Sequence, residues 1–243
     1  MKDLFSTQSN EYAKFRPTYP QALLQEIIAL CPSLNLAWDA GTGNGQFANL
    51  LSPYFACVVA TDISEKQLAN AVQKPNIEYA LSDSTHINIA DHTADLVTVA
   101  QAVHWFNFEK FYAEVRRVLK NNGILALISY GLIHSEPKVN DIILDFYNNT
   151  LHNCWDPERR YIDEEYKTIP FPFEEIKLKP HAMPYTWNID QLIGFFSTWS
   201  GVQHYMKKNN HDPLPELRQR FQHTGLTEFK VEFPVFGRVA RIH

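Results

Sequence analysis

Cysteine is sparse in this chain: three among 243 residues, Cys31, Cys57 and Cys154, widely separated and odd in number. No CxxC pair occurs, so neither a zinc site nor a disulfide framework is expected, and no metal ligands are assigned. Free thiols suit a reducing compartment, which makes the cytoplasm the expected location. Clustered positive charge is missing too. Lys and Arg total 22 against 27 Asp and Glu, a net charge of −5, and Arg116-Arg117 and Lys207-Lys208 are isolated pairs. Neutralising a phosphate backbone needs clustered cations, so a nucleic-acid partner is not expected. No apolar run approaches the roughly 20 residues of a membrane span. The opening Met1–Gln8 has no apolar segment of the signal-peptide kind. These absences leave a small-molecule partner and a monomer or homodimer.

What is present is a strand–glycine–helix signature. Leu36-Ala37-Trp38-Asp39 is a short apolar run ending in an acid. Gly41, Gly43 and Gly45 then alternate with Thr42 and Asn44, and a helical pattern starts at Gln46. Glycine takes positive φ and carries no Cβ, so a ligand can approach the backbone there. The helix that follows opens with unpaired N–H groups. A second apolar run, Val58-Val59-Ala60-Thr61, ends in Asp62, 21 residues after Gly41. A nucleotide-binding βαβ unit places its ribose-binding acid about 20 residues on.

The rest of residues 1–130 alternates strand and helix. Pro20 opens a helix with Leu23, Leu24, Ile27 and Ile28 on one face. Ser64 with Gln67 caps another, and strands are expected at Ile77–Leu81 and Leu96–Ala100. Asn107 caps a helix ended by Gly123, before a fifth strand at Ile124–Ser129. Such alternation specifies an α/β fold with a doubly wound parallel sheet, whose ligands collect at the strands' carboxyl ends. Asp39, Asp62, Asp83 and Gln101 all fall at such ends. Beyond Tyr130 the rhythm changes: a helix near Val139–Leu151, a strand at Glu174–Lys179, helices at Asn188–Trp199 and Pro213–His223, and a last strand at Glu228–Ile242 made irregular by Pro234 and Gly237. One domain is expected, with residues 1–35 as N-terminal lid and helix and 36–130 as the nucleotide-binding half. Residues 131–227 form a helical lid with the sixth strand, and 228–243 the last strand.

Two cofactors suit this crevice, a nicotinamide dinucleotide and S-adenosylmethionine. Gly43-Asn44-Gly45-Gln46-Phe47-Ala48 satisfies G-x-G-x-x-A. Against the dinucleotide, Asp39 would repel a pyrophosphate, a helix precedes the first strand, and Asp83-Ser84 suits a neutral adenine edge. Asp39-Ala40-Gly41-Thr42-Gly43-Asn44-Gly45 resembles motif I of class I S-adenosylmethionine-dependent methyltransferases. Asp62, Asp83-Ser84 and Asp95–Phe106 resemble the later motifs. Together with Tyr12–Pro20, Asp95–Phe106 is similar to a subgroup that includes trans-aconitate methyltransferases. The resemblance implies a Rossmann-like, seven-stranded, mostly parallel sheet with an antiparallel last strand. It also implies a cofactor site of Asp39, Gly41, Thr42, Gly43, Asp62, Ile63, Asp83, Ser84 and Gln101. In that family the two glycines and Gln101 border the methionine part, Asp62 takes the ribose hydroxyls and Asp83 faces the adenine amino group. A nicotinamide oxidoreductase and a binding protein without turnover are the alternatives.

Methyl transfer from a sulfonium is an in-line displacement, so positioning and exclusion of water are the main requirements. His104, just past strand four, is the candidate proton acceptor or pocket wall, and a carboxylate nucleophile would need no base. Arg16 is the candidate partner of a substrate carboxylate. Tyr12, Tyr19 and Trp105 are the further substrate-binding candidates, with Trp155, Tyr161 and Trp199 as possible apolar walls. Arg159 and Arg160 are weaker candidates for the same carboxylate role, with solvent exposure the expectation for both. The Asn/Asp-Pro-Pro-Tyr element of base and amide N-methylation is absent after strand four, where Gln101-Ala102-Val103-His104 stands. A small acid yielding a methyl ester is therefore the expected acceptor.

Overall fold

The computed structural model describes residues 15–243; Tyr12 lies outside them. Five parallel strands form the centre of the sheet: β1 (Leu36–Ala40), β2 (Cys57–Asp62), β3 (Ile77–Leu81), β4 (Ala94–Ala100) and β5 (Leu119–Tyr130). They lie in the order β3-β2-β1-β4-β5, and the chain reverses direction between β1 and β4, which opens a crevice at their carboxyl ends. Helices α1 (Gln21–Ile28), α2 (Gln46–Leu51), α3 (Glu65–Ala69) and α4 (Phe108–Val118) connect or flank them. Ser64 Oγ caps α3 by accepting from Gln67 N–H, and Asn107 caps α4 by accepting from Lys110 N–H. The start of β1 is pinned by Asp95, which accepts from Ser33 Oγ, Lys120 Nζ and the N–H groups of Asn35 and Leu36. Burial alone would raise the Asp95 carboxyl, but these donors outweigh it and hold it below its usual range.

The second half begins with β6 (His134–Ser135) and α5 (Pro137–Asp145), followed by one wide turn at Phe146–Thr150 and α6 (Arg160–Asp163). Then come β7 (Glu175–Ile176), β8 (His181–Trp187), α7 (Ile189–Ser197), α8 (Ser200–Asn209), α9 (Leu214–Gln222) and β9 (Phe229–Arg241). β9 runs antiparallel to β5 and to β8, so β8 is parallel to the central five. The seven long strands match the expected sheet; β6 and β7 add two-residue pairings to β9.

Three expectations are corrected. The sixth strand is β8, and the Glu174–Lys179 pattern yields only the short β7. Gly123 does not end α4. It lies in a bulge of β5, where the chain passes from Leu119 opposite Ala94 to Ile124 opposite Leu96 and Asn122 takes φ 66°. Pro234 and Gly237 cause no break, because β9 pairs in continuous register with both neighbours. The helix expected near Val139–Leu151 is present: α5 passes directly into a single π-turn at Phe146–Thr150, closed by Leu151 N–H donating to Phe146 O.

Candidate active site

The glycine turn owes its shape to three left-handed residues, Gly41, Gly43 and Gly45, at φ 69°, 58° and 79°. A Cβ on Gly41 would stand 2.8 Å from Ala102 Cβ, whereas one on Gly43 would meet nothing within 4 Å. The turn is tied to β2, with Thr42 N–H donating to Thr61 O at 2.8 Å and Gly43 N–H to Asp62 Oδ2 at 2.9 Å. Asp62 Oδ1 accepts from Ser64 N–H at 2.9 Å, so one carboxylate orders both loops.

A cavity opens over these loops. Asp39, Gly41, Thr42, Gly43, Asp62, Ile63 and Gln101 line it, as do Arg16, Tyr19 and Trp105. Phe47, Leu50, Val72 and Tyr130 add apolar wall that sequence reasoning did not name. Tyr130 ends β5, so the strand-end rule that selected Asp39 and Asp62 could have found it. Asp83 and Ser84 are not part of this lining. The Asp83 carboxylate turns back on Thr85, accepting from its N–H at 3.0 Å and its hydroxyl at 2.7 Å, which lowers its pKa. Ser84 is buried at φ 65°.

Asp39 is fully buried beneath the turn and accepts from Thr42 Oγ1 at 2.5 Å and Thr98 Oγ1 at 2.7 Å. Burial pushes its carboxyl from 3.8 up to about 6, against the hydrogen bonds from Thr42, Thr98 and Ala48 N–H, and the charge of Asp62 adds to the rise. Two carboxylates, Cβ-free backbone and no lysine in the lining suit a cation without phosphate. The apolar walls suit a flat ring system. The residues present therefore fit S-adenosylmethionine.

A smaller pocket adjoins the first and shares Arg16, Gln101 and Trp105 with it. His104, Trp155, Arg159, Ile162 and Trp199 complete most of its wall. Arg16 donates to Tyr130 Oη at 2.5 Å and to Thr198 O at 3.1 Å, and stacks over Phe195. Tyr161 is not in this wall; it packs edge-on against Phe108.

His104 is buried, with Nδ1 3.3 Å from Tyr166 Oη and its ring against Trp105. Ser129 Oγ donates to Gln101 Oε1 at 2.5 Å, and Tyr130 N–H donates to the same oxygen at 3.0 Å. An amide oxygen only accepts, so Ser129's single proton is committed there. Burial, with the positive charge of Arg159, pulls the His104 pKa down from 6.5 to about 3. The ring is neutral near pH 7 and a poor proton sink.

Comparison with known proteins agrees with this geometry. The family model for a methyltransferase domain matches residues 38–127. A Dictyostelium discoideum chain named as a methyltransferase is 36% identical over 244 residues, covering 96% of this chain and 93% of that one. A Saccharomyces cerevisiae relative named as an S-adenosylmethionine-dependent methyltransferase is 29% identical over 132 residues, 51% of this chain and 45% of its own length. A solved structure from Anaeromyxobacter dehalogenans, named as a type II methyltransferase, superposes with TM-score 0.87 at 32% identity and covers 94% of this chain and 100% of its own. These relatives set aside the nicotinamide and non-catalytic alternatives. The chain belongs to the class I S-adenosylmethionine-dependent methyltransferases.

Proposed function

We propose that the acceptor is a small carboxylic acid and the product its methyl ester, as the resemblance to the trans-aconitate methyltransferase subgroup suggests. The observation that carries this reading is the character of His104. It is the histidine of the acceptor-side pocket, buried against Trp105, and burial beside the positive charge of Arg159 lowers its affinity for a proton. An alcohol or amine acceptor must lose a proton to some base, whereas an ionised carboxylate attacks with none to lose.

When bound, the cofactor would supply an electrophilic methyl group on a sulfonium and, as a neutral thioether taking the C–S electron pair, its leaving group. An acceptor carboxylate held in line would form the new C–O bond, its negative charge offset by the sulfonium's positive one. Charge is lost in the transition state, which an apolar, water-poor site favours. Trp105 and Tyr130 would exclude water at the junction of the two pockets, Arg16 would orient the acid there, and Tyr19 would form part of the wall. Asp62 with Gly41, Thr42, Gly43 and Ile63 would hold the cofactor, with Asp39 beneath and Gln101 at the junction. The enzyme would act in the cytoplasm as a monomer or homodimer, without nucleic acid. No helix among the described residues is long and apolar enough to cross a membrane.

The test is transfer of labelled methyl from S-adenosylmethionine to a panel of small acids, alcohols and amines. Products from acids that release labelled methanol in alkali support ester formation. Alkali-stable products formed only from alcohols or amines overturn it.

A further inference from the structure

The smaller pocket contains a cation arranged differently from Arg16. Arg159 donates through Nε to Tyr147 Oη at 3.0 Å and to Asp163 Oδ1 at 3.3 Å. Its guanidinium lies over the rings of Tyr147 and Trp155, centroids 5.4 and 5.1 Å away. The side chain is 19% exposed, so it belongs to the pocket wall rather than to open solvent. This corrects the expectation of a solvent-exposed residue. Within the described residues, none of its hydrogen bonds uses Nη1 or Nη2. Its charge is felt at His104 and Tyr166, across the pocket. A planar guanidinium, held at its root and stacked on two aromatic faces, has its two-nitrogen end left for a ligand.

Arg16 and Asp156 are the other charged side chains of this wall, and Asp156 Oδ2 is buried 3.7 Å from His204 Nδ1. The apolar part of the wall is Trp105, Trp155, Trp199 and Ile162, which accept flat or aliphatic groups.

We propose that Arg159 is the carboxylate-recognising residue of the acceptor site, and that the pocket selects small monoacids with an apolar body. This rests on the methyltransferase reading and assigns its acceptor subsite. One carboxylate oxygen sits on the Arg159 fork, and the other faces the junction formed by Arg16, Gln101 and Trp105. Arg16 is already engaged by Tyr130 and Thr198, so it shapes the junction while Arg159 supplies the charge-assisted hydrogen bonds.

Calorimetry on protein saturated with S-adenosylhomocysteine tests this without turnover. Benzoate, phenylacetate and hexanoate are titrated, each beside its own amide, which keeps the shape and removes the charge. In the native protein at least one acid should bind roughly tenfold or more tighter than its amide. Arg159→Gln should abolish that preference, and Arg159→Lys should keep part of it. Affinity for S-adenosylhomocysteine should be unchanged in both variants, which also reports that they are folded. An acid preference that survives in Arg159→Gln, or that is lost only in Arg16→Gln, overturns the assignment. So does a native protein that binds no acid better than its amide. Native protein that fails to bind S-adenosylhomocysteine at all instead removes the cofactor reading, and the subsite with it.

Discussion

At the scale of single residues, Asp39 and His104 carry opposite perturbations from the same cause, loss of water. Each gives a prediction. The native state binds a proton on Asp39 more tightly than the unfolded chain does, since the folded value is about 6 against 3.8. Asp39 therefore favours the fold fully below about pH 4, and that contribution disappears as the pH rises through 6. Across that interval, native protein should lose up to about 3 kcal/mol relative to Asp39→Asn. Urea unfolding of both proteins between pH 4 and pH 7 measures the gap. A gap independent of pH would show that the Asp39 carboxyl is not raised. His104 predicts a small effect. If it only shapes the pocket wall, His104→Gln should reduce kcat by about tenfold or less, a hydrogen bond's worth. The pH–rate profile should show no His104 limb near 6.5. A loss of 10²–10⁴-fold, the usual size for a general base, would make it the proton acceptor and remove the argument for an acid.

The glycines and acids of the first βαβ unit were legible because their chemistry is local. Positive φ favours glycine, and a strand end demands nothing of its acid except function. Arg159 was legible only as a weaker carboxylate candidate expected in solvent. Its place in the pocket wall was not, because the segment after β4 that carries His104 and the segment 147–159 are brought together only by the fold. Asp83 misled for the opposite reason. It stands at a strand end, as Asp62 does, but a local turn to Thr85 consumes its carboxylate.

At the scale of elements, legibility follows the same division. Helices with an Asn or Ser cap were placed well, as at Asn107 and Asn188, where the cap oxygen and N3 N–H define the start. β8 was missed because Pro184 reads as a strand breaker. It survives because β8 pairs with β9 alone, and an edge strand can spare an N–H. Gly237 has a different explanation from the turn glycines. It faces Ile128 across the β5–β9 ladder, and a Cβ there would overlap the Leu127 carbonyl oxygen. Gly237→Ala should therefore cost about 1–3 kcal/mol by forcing the strands apart, with little change in affinity for S-adenosylhomocysteine. Gly43→Ala should weaken that affinity, because its Cβ projects from a residue lining the cavity. Thermal melts and calorimetry on the pair separate the two roles, and a reversed pattern would contradict both assignments.

At the scale of the molecule, the question is whether the sheet and its helical cap form one folding unit, as the single-domain reading requires. Strand β9 decides it. Its first part, Phe229, Val231 and Phe233, lies in the cluster formed with Trp187, Phe195 and Phe221 of the cap. Its last part places Val239 beside Leu23, Ile27 and Phe47 on one sheet face, and Ala240 beside Trp38, Phe111 and Val115 on the other. One continuous strand thus crosses all three apolar clusters, so neither half can release it without exposing the other. Phe233 is the point of greatest leverage. It is fully buried, with the rings of Phe195, Tyr130 and Trp187 at 5.0, 5.5 and 5.6 Å. Phe233→Ala should cost about 3–5 kcal/mol. In hydrogen exchange under denaturant, peptides from β4 and from α7 should lose protection in one step, moved to lower denaturant together. If α7 opened first while β4 stayed protected, the cap would be a separate unit, and β9 would join two domains rather than run through one.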